Sequence, residues 1–385
     1  MAHLRDRFIV AQIKKRLKLW PVIGVLGPRQ VGKSTILRGV TDESRYLSLD
    51  VKQLRSEAER APDFFIASHR EGKGLIAIDE VQKAPDLFDA IKASVDASRR
   101  PGTFIVAGST QFSTKVGIRE SLTGRIGLVR IWPLTLAEMC QKSPTGSFLK
   151  RHPVESSTPA DVKRRMTCGG MPGICFVRSE AERQDLIGGW LETTCYRDME
   201  QIVGLRVTGE RTLACLKLIA RKPETTPSEC ARELGVSVPT ARKLLESLEV
   251  LMVINRVSPW KESSGKERWL LCDAAIAHYL GADRRTIEQV VLHQEILCQY
   301  AFAGAQLPAI YYQQSRRGSF VDFVLEDQRG ILAILLVESE SPKAYELRSL
   351  KTLKARHDDL RAWAVGPFSR YQKGDIEFVP WTMVL

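Results

Sequence analysis

Residues 23–40 read IGVLGPRQVGKSTILRGV. The apolar run PVIGVL that leads into this stretch has the character of a short buried strand. KSTILRGV reads as a helix, with Ile36, Leu37 and Val40 on one side. Between them, GPRQVGKS fits G-x-x-x-x-G-K-[ST] at Gly27, Gly32, Lys33 and Ser34. Glycines let backbone N–H groups curl inward around phosphates, and the helix N-terminus adds a favourable dipole. Lys33 is then placed for the β- and γ-phosphates, and the Ser34 hydroxyl for Mg²⁺. The candidate cradle is Gly27, Pro28, Arg29, Gln30, Val31, Gly32, Lys33, Ser34 and Thr35. The plain alternative is a strand–helix turn with an ordinary exposed lysine. The strand–loop–helix setting counts against it.

A second strand is expected in RYLSLD, and a third in GLIAIDEVQKAP, where Leu75 to Ile78 run into Asp79 and Glu80. A carboxylate at the C-terminal end of a buried strand lies where open α/β sheets bind ligands. Asp79 is the candidate Mg²⁺ residue, directly or through water. Glu80 is the candidate that polarises the attacking water; its alternative is a solvated loop carboxylate. The fourth strand, TFIVAGST, ends in Gly108, Ser109 and Thr110. Ser109 either senses the γ-phosphate or caps the next helix. Arg125, after Gly124 and just before a fifth strand LVRIW, is a candidate arginine finger in its own or a neighbouring subunit, or a structural arginine.

These segments together resemble a known family. GPRQVGKST, AIDEVQKAPDLFDAIK, FIVAGST, SLTGRIGLVRIWPLTLAEM and GGMPG occur in that order over nearly the whole chain. The chain looks like the prokaryotic AAA-type ATPases, related to the STAND and archaeal origin-recognition ATPases, that carry a C-terminal domain of unknown function. The resemblance implies an ASCE P-loop core with a parallel sheet. It implies no biological role.

The middle of the chain divides by pattern. GSFLKRHPVESSTPA, residues 146–160, reads as a connecting loop. GGWLETTCYRDMEQI reads as a helix with an apolar stripe of Trp190, Leu191, Cys195, Met199 and Ile202. Residues 206–273 have a helix-turn-helix rhythm with Thr226 as an N-cap and Gly235 as a C-terminal stop. Two strand candidates, LMVINRV and RWLLCD, follow as a wing. If the module binds DNA, Thr240, Arg242 and Lys243 are the exposed candidates, with Lys261 and Lys266 in the wing. This stretch holds twelve basic and nine acidic side chains, a net of +3, which is a weak phosphate stripe. A module that packs between domains or binds protein is the competing expectation.

The C-terminal stretch resembles the restriction-nuclease fold. An active version supplies a helical Glu, an Asp at a strand end and an E-x-K on the next strand, which bind Mg²⁺ and position water. Glu295 and Asp322 match the first two. AILLVESES offers Glu338 and Glu340 but no lysine at the required spacing, and Lys343 lies beyond Pro342. The nuclease site is therefore expected to be degenerate.

Composition bounds the rest. The chain has 385 residues, 44% of them apolar, and a net charge of +12, which permits a polyanionic partner without requiring one. No run of about 18 apolar residues is present, and the N-terminus lacks a signal-peptide core, so no membrane partner is expected. Eight scattered cysteines without a CxxC pair fit buried free thiols in a reducing cytoplasm. The expected layout is a P-loop AAA-type domain over 1–145, a helical connector over 146–205, a winged helix over 206–282 and a nuclease-like domain over 283–385. The expected activity is Mg²⁺-dependent ATP hydrolysis whose nucleotide state controls the C-terminal module. The competing expectations are a nucleotide-switched DNA-binding regulator, in a mobile-element, defence or toxin–antitoxin setting, and an ATP-dependent nuclease. Protein partners and self-association stay open.

Overall fold

The computed structural model describes residues 4–71, 74–108, 122–199, 207–261, 263–316 and 318–385. It divides into two compact units. One is Arg7–Trp132 with Val250–Met252, and the other is Met1–Asp6, Pro133–Glu249 and Val253–Leu385.

The first unit is built on five parallel strands: β1 (Val22–Leu26), β2 (Tyr46–Ser48), β3 (Ile76–Asp79), β4 (Phe104–Gly108) and β5 (Ile126–Arg130). Their order is β2-β3-β4-β1-β5. The inner strands β1, β3 and β4 are buried along their whole length, which is why they read as unbroken apolar runs. The edge strand β5 alternates in exposure instead. Helix Leu87–Ala97 contributes Leu87, Phe88, Ile91 and Val95 to a core that also contains Ile76, Ile78, Phe104 and Val106. β4 lies between the strand that carries the glycine loop and the strand that ends in Asp79. That extra strand is the ASCE arrangement.

The second unit carries a mixed eight-stranded sheet. Its strands are β6 (Ile254–Pro259), β7 (Arg268–Leu271), β8 (Ala309–Gln314), β9 (Phe320–Asp327), β10 (Gly330–Leu336), β11 (Arg361–Gly366), β12 (Tyr371–Lys373) and β13 (Ile376–Pro380). Their order is β12-β13-β11-β10-β9-β8-β6-β7. Three helices, Gly209–Arg221, Pro227–Leu234 and Val238–Val250, precede the antiparallel hairpin β6–β7. Thr226 and Glu229 form a capping box, and Gly235 ends the helix at φ 60°.

The two compact units are a coarser grouping than the divisions expected at 145/146, 205/206 and 282/283. The first boundary falls at Trp132/Pro133. The hairpin joins the C-terminal strands because β6 pairs in parallel with β8, Ser258 against Tyr311. The stretch expected as a connecting loop contains a short helix, Ser147–Lys150. The apolar stripe from Trp190 to Met199 is buried as expected, and Ile202 lies outside the described residues. No helix among the described residues is long and apolar enough to cross a membrane. All eight cysteines are free and six are buried.

Helix Arg284–Ala303 is buried on every side from Thr286 to Tyr300. A helix buried all round must satisfy its polar groups internally. Gln294 donates to Pro133 O at 2.7 Å and accepts from the buried Arg165 at 2.8 Å. Gln299 donates to Val384 O and accepts from Phe148 N. The family-like segments meet beside it. Leu134 N donates to Gly170 O, and Gly170 N donates to Asp273, both at 2.7 Å.

Glu295, on the same helix, accepts from Gln299, but its Oε2 has no hydrogen-bond partner among the described residues. Burial lifts its carboxyl from 4.5 to about 7, against the Gln299 hydrogen bond and the charge of Arg165, with Glu138 adding to the rise. The folded protein therefore binds this proton more tightly than the unfolded chain. The stabilisation is complete below pH 4.5 and is lost as pH rises through about 7. Glu295→Gln, neutral throughout, is expected to flatten that fall, about 3 kcal/mol in size. Thermal midpoints of both proteins across this window check it; parallel profiles would refute it.

Candidate nucleotide site

The strand β1 runs straight into the loop, and the helix Lys33–Val40 starts immediately after it. Gly32 precedes the helix at φ 100°, a conformation that a side chain strongly disfavours. Gly27 is needed for another reason. A Cβ there would lie 2.7 Å from the Ile131 side chain and 2.8 Å from its carbonyl. The segment after β5 closes against the loop because Ile131 N donates to Leu26 O at 2.7 Å.

Lys33 is buried at 6% exposure. Its Nζ donates to Gly27 O and Pro28 O, both at 2.9 Å. The ammonium is thus folded back on the carbonyls of its own loop, a short swing from any phosphate seated there. Arg7 fastens the loop from outside. It donates to Val31 O at 2.8 Å and to Trp132 O at 2.6 Å. No local motif flags Arg7, and the sequence reading missed it.

The strand β3 brings Asp79 to the same edge of the sheet. Ile78 pairs with Val106 and Val106 with Gly24, so Asp79 stands one residue beyond that level, level with Val25 near the end of β1 and separated from it by β4. Asp79 is 2% exposed. Both its oxygens are held: Oδ1 accepts from Glu80 N at 3.0 Å and Oδ2 from the Tyr46 hydroxyl at 2.6 Å. Ser34 and Arg38 lie beside the same phenol, and burial followed by the Asp79 hydrogen bond pushes it up to about 12. Tyr46 therefore shows that Ser34 and Asp79, the two residues expected to hold Mg²⁺, are brought together. A buried carboxylate and a hydroxyl are hard oxygen donors and suit that ion. Among the described residues no cluster of three or more His, Cys, Asp or Glu is arranged to hold a metal.

Glu80 follows at the turn. It is a half-buried residue in the left-handed region, φ 55° and ψ 38°. Its carboxylate accepts from the Gln82 side-chain amide. A non-glycine residue held there marks backbone strain at a candidate catalytic position.

Other expected residues do not join this site. Arg125 sits at the opposite end of the sheet. Its carbonyl accepts from Val22 N, at the start of β1, whereas the loop leaves the end of that strand. Five strand residues separate the two by roughly 15 Å. Its guanidinium grips Asp96 at 2.6 and 2.9 Å, and this pairing holds the Asp96 carboxyl below its usual range. An arginine finger acting in its own site is corrected by that placement. Ser109 lies outside the described residues.

In the second unit, Arg242 and Lys243 are exposed on helix Val238–Val250, while the Thr240 hydroxyl is engaged with Ser237 at 2.8 Å. Arg242 borders a cavity of about 180 Å³ that also presents Glu246, Arg256 and Glu267. Arg256 is paired with Glu249 and Lys261 with Glu326. The basic stripe is interrupted by acids.

The nuclease-like carboxylates are not assembled as expected. Asp322 accepts from Arg285 at 3.0 and 2.7 Å, from Gln289 at 2.7 Å and from Leu336 N at 2.8 Å. A guanidinium occupies its coordination sphere. The helical acid near it is Glu288, not Glu295, because the helix turns 285, 288 and 289 toward β9 and carries 295 nearly two turns further. Lys343 is exposed in a loop, where its N–H donates to Glu346.

Residues 20–140 match the family model described as an AAA domain, and residues 159–287 match a domain of unknown function, DUF8612. Uncharacterized proteins of Mycobacterium bovis and Mycobacterium tuberculosis are each 29% identical over 267 residues, 69% of this chain and 56% of theirs. The chain spans about half the length of these curated relatives. Among solved structures, the Walker-type ATPase of Pyrococcus abyssi covers 71% of this chain and 94% of its own at 17% identity, with a TM-score of 0.41. The Orc1 protein of Aeropyrum pernix, solved in complex with DNA, covers 76% and 94% at 14% identity, with a TM-score of 0.31.

Proposed function

We propose that the chain, whose residues 20–140 match the AAA-domain family model, binds ATP with Mg²⁺ and hydrolyses it. The carrying observation is the joint position of Lys33 and Asp79. A buried ammonium parked on loop carbonyls and a buried carboxylate share one edge of the sheet. In this reading Lys33 moves from Gly27 O and Pro28 O to the phosphates. Ser34 and Asp79 hold Mg²⁺, which when bound neutralises charge on the phosphate oxygens. Glu80 orients the attacking water and accepts its proton. The test is ATP turnover by the purified chain with Mg²⁺ and with chelator. Failure to bind nucleotide in either condition would sink the reading.

The fuller form of this proposal gives the nucleotide state control over the second unit, whose three helices and β6–β7 hairpin we take as a winged helix. Exposure of Arg242 and Lys243 on its third helix supports a nucleic-acid partner. Duplex DNA binding should then weaken steeply with salt, change with ATP, and fall about tenfold in an Arg242→Ala, Lys243→Ala variant. No binding at low salt would leave a protein partner as the alternative. Nuclease chemistry is not proposed, since Arg285 neutralises Asp322. The free, largely buried thiols support a cytoplasmic setting.

A further inference from the structure

We propose that Tyr46, backed by Arg38, is a positioning residue that presents the Asp79 carboxylate to the divalent cation and so sets the affinity for Mg²⁺. This rests on the Mg²⁺–nucleotide reading above. Three elements converge on one phenol. β3 supplies Asp79, whose Oδ2 accepts the Tyr46 hydroxyl at 2.6 Å. The helix Lys33–Val40 supplies Ser34, beside that hydroxyl, and Arg38 one turn later. The Arg38 guanidinium lies 4.5 Å from the centre of the Tyr46 ring. β2 supplies Tyr46 itself, at the edge of the sheet.

The chemistry of the phenol suits this task. A carboxylate free to rotate would lose orientation each time the nucleotide and its metal left. Here Glu80 N holds Oδ1 and Tyr46 holds Oδ2, so the group is fixed at both ends. A carboxylate offers about four lone-pair sites, and two remain for the cation or its waters. A tyrosine donates a hydrogen bond without carrying positive charge. Lysine or arginine in direct contact would fix Asp79 equally well, but would repel the incoming metal. The structure keeps the cation of Arg38 on the ring, with the phenol interposed. Partners that orient a ligating carboxylate are typically worth 10–100-fold in metal affinity.

The experiment titrates Mg²⁺ into the full chain with a fluorescent ATP derivative and reads nucleotide binding, for wild type, Tyr46→Phe and Arg38→Ala. Tyr46→Phe should raise the half-saturating Mg²⁺ concentration about 10–100-fold, and Arg38→Ala should shift it the same way by less. Metal-free nucleotide affinity should stay near wild type in both. Tyr46→Phe titrating with Mg²⁺ as wild type does would overturn the proposal. So would equal weakening with and without metal, the mark of a purely structural role. If Tyr46→Phe does not fold, Arg38→Ala decides by the same two readouts. Wild type that binds no nucleotide at any Mg²⁺ concentration overturns the underlying reading instead, so the two failures are distinct.

Discussion

Replacing Lys33 by alanine is expected to abolish ATP turnover and to weaken nucleotide binding by at least about 100-fold. The size follows from the exchange that the ammonium makes. Without ligand it is satisfied by two neutral carbonyls, Gly27 O and Pro28 O. Bound phosphate offers charged oxygens, and charge-assisted hydrogen bonds are worth about 1.5–3 kcal/mol each. Two of them account for roughly 3 kcal/mol or more, which is over a hundredfold in affinity. The variant also strips both carbonyls of their donor inside a buried loop. A thermal-melting control is therefore part of the measurement. Nucleotide binding by fluorescence and phosphate release by the same preparation check the prediction. Undiminished hydrolysis by a folded Lys33→Ala protein would remove Lys33 from the mechanism.

What the sequence made legible depended on how locally each feature is encoded. The phosphate loop is contiguous, so its strand, glycines and lysine could be read together. Asp79 was legible because a buried strand announces its own end. Arg7 and Tyr46 were not, since Arg7 reaches a carbonyl 24 residues away and Tyr46 a carboxylate 33 residues away. Neither carries a local pattern. Arg125 shows a different limit. Its place before a strand was readable, but in a parallel sheet the residue preceding a strand lies at the end opposite the loop that follows one. Sequence order alone does not say which end of the sheet a side chain serves. Glu295 was assigned over Glu288 because the two, seven residues apart, lie on nearly the same face, and only packing shows which of the two turns meets β9. Asp322 selects the face of helix Arg284–Ala303 that carries Arg285 and Gln289, and that selection is made by tertiary packing. The β6–β8 pairing was equally out of reach, because it joins residues more than fifty positions apart.

Glu80→Gln should leave ATP binding within about threefold of wild type while slowing hydrolysis by about 10²–10⁴-fold, the usual contribution of a positioned general base. The local geometry explains why the two effects separate. Glu80 is held at φ 55° by the turn after β3, where its backbone carbonyl accepts from Lys83 N and its own N–H donates to Asp79. Those contacts belong to the main chain and survive the substitution. Among the described residues, its side chain accepts from the Gln82 amide. A glutamine at position 80 can still offer an oxygen to that amide, so the turn keeps its shape. What it loses is the ability to accept a proton from water. Strain is also informative here. A left-handed conformation costs a non-glycine residue about 1–2 kcal/mol. The protein sustains that cost at the residue next to the buried Asp79, where a side chain must turn back over the end of the sheet. If Glu80→Gln instead loses nucleotide binding, or melts far below wild type, the carboxylate serves the turn and not the water. Binding retained with turnover lost, together with a Gln82→Ala variant that slows hydrolysis to a smaller extent, would assign the base and the group that orients it.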